Sequence, residues 1–120
     1  MNAAHSNALH GLALLAVEQD RIEDAVALLR SAVAESPGNA AAWNDLGVVM
    51  EVLGNPRRAV ECYALAIGAD PAHMEARSNL IALGVQLEAR RRMRETAPYA
   101  VMSKMGSAPR PVRAARANSV

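Results

Sequence analysis

At 120 residues, 52% of them apolar and only Trp43, Tyr63 and Tyr99 aromatic, the chain is one domain whose core must be built from Ala, Leu, Val and Ile. So ring-poor a composition disfavours sheet, because strands draw on aromatic and β-branched side chains. The formal charge of +1 conceals a division: residues 1–89 carry five basic and eleven acidic groups, net −6, whereas residues 90–120 carry eight basic groups against Glu95 alone, net +7.

Taken in chain order, the apolar spacing predicts a first helix over residues 6–18, with Leu9, Leu12, Ala13 and Ala16 recurring at intervals of three and four. The pattern breaks around Gln19 to Arg21, where Asp20 tolerates the left-handed conformation of a tight helix exit. A second helix is expected from about Ile22 to Glu35, with Ala25, Leu28, Leu29, Ala32 and Val33 inward. Pro37-Gly38-Asn39 interrupts it, and Asn39 is placed to cap a third helix from about Ala40 to Leu53 with Trp43, Leu46, Gly47 and Met50 inward. Gly54-Asn55-Pro56 is the strongest turn: glycine ends one helix, asparagine caps the next and proline takes the first helical position. A fourth helix then runs to about Ala69, with Ala59, Val60, Tyr63, Ala66 and Ile67 inward. After Asp70-Pro71 a fifth is expected over about 72–95, ended by Pro98 at the latest. Residues 96–120 read as a basic tail, disordered over 106–120.

One period runs through these elements. Leu12 returns as Leu46 and Leu80, Ala25 as Ala59, Ala32 as Ala66, and Pro37 as Pro71, every offset being 34 residues. Residues 40–73 read Trp43-x2-Leu46-Gly47-x2-Met50, then Ala59-x3-Tyr63, Ala66 and Pro71. Residues 6–39 carry the degraded form Leu9-x2-Leu12-Ala13-x2-Ala16, Ala25-x3-Leu29, Ala32 and Pro37. The pattern resembles the tetratricopeptide repeat, whose 34-residue consensus is W-x2-L-G-x2-Y, A-x3-F and P. A third unit opens with Arg77-x2-Leu80-Ile81 and then fails, since Met93, Ala97 and Met105 stand where Ala, Phe and Pro belong. The resemblance implies an all-α fold: an α-solenoid of two helix-turn-helix units (6–39 and 40–73) closed by a capping helix, in a right-handed superhelical array over residues 1–95.

The same resemblance implies a non-catalytic adaptor that holds a peptide or partner helix in a concave groove lined by the first helix of each pair. Transferred residue by residue, the groove comprises His10, Leu14 and Val17; Asn44, Asp45, Val48 and Glu51; and Glu75, Ser78, Asn79, Ala82 and Val85. One subgroup of the family grips chaperone C-terminal carboxylates with Lys, Arg and Asn. The matching positions here are His10, Leu14, Asp45, Glu75 and Asn79, with two acids and no lysine or arginine, so an anionic ligand end would be repelled. A basic or amphipathic partner segment fits better.

Two rivals remain. Arg90, Arg91, Arg92 and Arg94 form the densest basic run and could meet a polyanion. With only Tyr99 available to stack on a base, nucleic-acid recognition is not expected. Alternatively the open helical end, through Ile81, Val85 and Leu87, could dock on a larger assembly or on a second copy. Salt separates polyanion binding from groove binding, because phosphate contacts weaken steeply as salt rises. The lone Cys62 precludes an internal disulfide and fits a reducing compartment. No stretch approaches the roughly 20 apolar residues of a membrane span, the N-terminus has no basic flank of a secretory signal, and a cytoplasmic location is expected. His10 is the residue nearest to a catalytic candidate, but it has no nucleophile in helical register. His5 and His73 fall at a helix start and a loop, Cys62 reads as a half-buried filler, and no metal-ligand spacing or phosphate loop occurs, so neither catalysis nor a cofactor is expected.

Overall fold

The computed structural model describes the backbone of residues 2–104 and the side chains of residues 2–96. Five helices occupy them, with no strand among the described residues: α1 (Ala3–Glu18), α2 (Ile22–Glu35), α3 (Ala40–Val52), α4 (Pro56–Ala69) and α5 (Met74–Lys104). The chain divides into two compact units, Met1–Gly84 and Val85–Val120.

Asparagine side chains start three of the helices by accepting orphan backbone donors. Asn2 Oδ1 accepts from His5 N at 3.0 Å, Asn39 Oδ1 from Ala42 N at 3.1 Å, and Asn55 Oδ1 from Arg58 N at 3.3 Å, with Pro56 in the first helical turn. The Asn2 cap explains why α1 begins at residue 3 rather than 6. Its own N–H donates to the Glu35 carbonyl at 3.1 Å, tying the start of α1 to the end of α2.

The turns inside the two pairs repeat bond for bond. Asp20 N and Gly54 N donate to Val17 O and Glu51 O, each at 2.9 Å, and Arg21 N and Asn55 N reach back to Ala16 O and Met50 O, each at 2.8 Å. This double closure satisfies the last helical carbonyls and needs one residue in the left-handed region. Asp20 (φ +60°) and Gly54 (φ +76°) occupy that place. The turns between pairs match as well, Asn39 N to Ser36 O and His73 N to Asp70 O, both 3.0 Å.

Within the first unit, α1 packs on α2, α3 on α4, and α2 on α3. The core is small-residue rich: Ala13, Ala16, Ala25, Leu29 and Ala32 from the first pair, then Leu46, Met50, Ala59, Tyr63 and Ala66 from the second. Ala40, Ala66 and Ala76 form a buried cluster where α5 begins, with Trp43 and Ile67 packed against it. Alanine at these places lets backbones approach closely, and the lone tryptophan fills the wider gap between helices.

Three expectations are corrected. Leu12, expected on the apolar stripe of the first helix, is 53% exposed. Its counterpart Leu46 sits on a helix packed against both α2 and α4, whereas α1 packs only on α2 to a comparable degree. Cys62, read as half-buried, is buried. The last helix passes through Pro98 and is described as far as Lys104. A proline removes its own N–H bond and crowds one preceding carbonyl, which does not prevent later residues from continuing the ladder. Residues 99–104 are therefore helical, including part of the segment read as a tail. The disorder expected over residues 106–120 lies outside the described residues.

Candidate partner groove

The first helices of the pairs are linked by polar bonds at one recurring offset. His10 Nε2 on α1 lies 2.6 Å from Asp45 Oδ2 on α3, and Asn79 Nδ2 on α5 donates to Asn44 Oδ1 on α3 at 2.9 Å. Both pairs are separated by 35 residues. They are the same two repeat positions, since His10 corresponds to Asn44 and Asp45 to Asn79 at the 34-residue period. A longer contact from Asn44 Nδ2 to Asp45 Oδ1, 3.4 Å, joins the rungs into one network across three helices. A further anchor lies at the helix starts. Ser6 is buried and its Oγ donates to Ala32 O at 2.7 Å, while Asn39 Nδ2 donates to Ser6 Oγ at 2.9 Å.

These bonds change the reading of three groove positions. Asn44, expected to select a partner by hydrogen bonding, is 1% exposed, and its carbonyl oxygen is already occupied. Its carboxamide sets the register of α3 against α5 and presents no surface to a ligand. A buried amide without a partner is costly, and the Asn79 side chain supplies the one that keeps this position polar. His10 and Asp45 are half-buried and engaged with each other. We expect Asn79→Ala to lower stability by about 1–3 kcal/mol by orphaning Asn44. Urea unfolding should show Asn44→Leu with Asn79→Leu recovering most of that loss, because the double change removes both polar partners.

The remaining α1 and α3 positions offer apolar surface beside acids. Leu14 is 45% exposed, Val48 39%, and Val17 is also exposed. Glu51 is half-buried and accepts from the Tyr63 hydroxyl of its own pair. Burial first, and then the Glu51 carboxylate, hold the Tyr63 phenol well above the usual tyrosine range. On α5, Glu75, Ser78 and Ala82 are exposed and Asn79 is half-buried. Val85, also exposed, belongs to the second unit.

In that second unit the basic run is partly neutralised on its own helix. Arg91 pairs with Glu88 and with Glu95 (2.7 Å), and Arg92 Nε with Glu88 (3.2 Å). The Arg91 guanidinium holds the Glu88 carboxyl below its ordinary value, with Arg92 adding to it. Arg90 and Arg94 are exposed. Spacings of three and four residues bring these side chains together, and it is this pairing with two nearby acids, rather than the arginine run itself, that the structure adds.

Among the described residues no three His, Cys, Asp or Glu side chains gather in a way that could hold a metal ion, and no helix is long and apolar enough to cross a membrane. Cys62 lies on α4, and burial, followed by the Glu61 charge, pushes its thiol up. A family model described as tetratricopeptide repeat matches residues 10–73. No curated protein matches the chain.

Proposed function

The chain belongs to the tetratricopeptide repeat family, whose members mediate protein–protein contacts, and on that premise we propose that it is a non-catalytic adaptor holding a basic or amphipathic partner segment along α1 and α3. The observation that carries this reading is the exposure of Leu14 and Val17 on α1 and of Val48 on α3, the helix that also bears Asp45 and Glu51. Apolar side chains left in water on repeat-lining helices supply anchoring area, and the adjacent carboxylates select for cations. Asp45 and Glu51 are each held by a donor from the protein, His10 and Tyr63. The acidic wall is thus ordered before a partner arrives, which reduces the entropy lost on binding. The corresponding polyanion reading for residues 90–94 gains no support from Arg91 and Arg92, whose guanidiniums are engaged by Glu88 and Glu95.

The test uses two labelled helical peptides with one apolar pattern, one basic and one acidic, measured by fluorescence anisotropy. The intact chain is expected to prefer the basic peptide. Leu14→Ser with Val48→Ser, neutral changes at exposed positions, should weaken it by about tenfold or more, the size of a lost apolar anchor. Equal binding of the acidic peptide, or an unaffected double variant with unchanged circular dichroism, overturns the reading.

A further inference from the structure

The face of α3 opposite Asn44, Asp45 and Val48 carries Trp43, Leu46 and Met50, as the helical period requires. There α2, α3 and α4 enclose a cleft of ≈ 470 Å³, within the usual range for small-molecule sites. Its walls are apolar, with Val33 and Ala34 from α2, Leu46 and Met50 from α3, and Leu65 from α4. Trp43 and Cys62 also line it. The charged groups of the lining are two guanidiniums, Arg30 and Arg58, and one carboxylate, Glu61. Neither arginine makes an ion pair with any described residue, although Arg21, Arg91 and Arg92 all do.

We propose that this cleft between α2, α3 and α4 is a second binding site, for a small anionic amphiphile of the fatty-carboxylate class. The apolar walls take the alkyl body, and Arg30 and Arg58 receive the carboxylate at the mouth. A guanidinium presents a planar fork that matches a carboxylate's two oxygens. Two such forks outweigh the one acid, Glu61, which sets an upper limit on affinity by repulsion. The cleft takes ligands of opposite charge to the groove along α1 and α3, and it stands or falls independently of that groove. All three of its walls are first-unit helices.

The chain carries its own reporters, because its only tryptophan and its only cysteine both line the cleft. The experiment titrates the full chain with decanoate, decanol and decyltrimethylammonium below their micelle concentrations, following Trp43 emission and the rate of Cys62 alkylation by N-ethylmaleimide. Decanoate is expected to shift the emission and slow the alkylation saturably, and to bind more tightly than the other two. Arg30→Gln with Arg58→Gln, both surface changes, should weaken decanoate about tenfold, and Glu61→Gln should tighten it about two- to threefold. The proposal is overturned by equal response to the cationic amphiphile, by an unchanged decanoate affinity in the arginine variant, or by no response to decanoate. It is overturned as well if an acidic amphipathic peptide protects Cys62 while decanoate does not.

Discussion

Tyr63→Ala is expected to lower stability by about 3–5 kcal/mol, the cost of deleting a large buried aromatic ring. Tyr63 is fully buried, and it occupies the place that Leu29 holds in the first pair. The larger ring fits because Gly47 faces it. A methyl group at residue 47 would lie 2.5 Å from Tyr63 Cε1 and 2.7 Å from Cδ1, inside any tolerated contact. The ring cannot swing away, since its hydroxyl is held by Glu51. Gly47→Ala should therefore cost about 1–3 kcal/mol through overpacking, even though alanine gains roughly 1 kcal/mol in helix propensity. In the first pair the same two positions are Ala13 and Leu29, a wider floor under a smaller side chain. Gly47→Ala combined with Tyr63→Leu copies that solution and should restore most of the loss in urea unfolding. A Gly47→Ala protein as stable as the original would refute the packing argument. The raised phenol pKa adds a pH signature. The unfolded chain releases the Tyr63 proton near pH 10 while the folded chain keeps it, so this contribution is complete below about pH 10 and is lost as pH rises further. Tyr63→Phe should lack that part of the alkaline decline.

Leu46→Ala and Leu12→Ala are expected to differ sharply although the two leucines hold one repeat position. Leu46 is 5% exposed on a helix packed against both α2 and α4, so its removal leaves a cavity and should cost about 2–5 kcal/mol. More than half of Leu12 already meets water, and its loss should stay within about 1 kcal/mol. Paired thermal melts measure the difference. Equal destabilisation would mean that Leu12 is covered in solution by something outside the described residues, a second copy included. That result would give weight to self-association, which the exposure of Leu12 and Ile81 makes worth testing by light scattering across a concentration series.

The features legible in the sequence are those set within a few residues of chain. Asp20 and Gly54 mark the two inner turns because few residue types enter the left-handed region, and their bonds recur at the same 34-residue offset. Asn39, Asn55 and Pro56 announce helix starts for reasons equally local. Alternating large and small side chains at a fixed period then imply stacking, which the matched residues 10–73 bear out as family membership. Tertiary structure decided whatever depends on what lies beside a residue. Leu12 and Leu46 are the same letter at the same position, yet only one has neighbours on both sides. Asn44 and Asn79 read as surface polar groups until the stacking of α5 on α3 makes each the other's partner. Arg30 lies far along the chain from Arg58 and Cys62, and the three share one cleft only because α2 and α4 flank α3. Dihedral preference and periodicity are written residue by residue, whereas burial and pairing are properties of the assembled helices, and solvent access is settled only when each rod has found its neighbours.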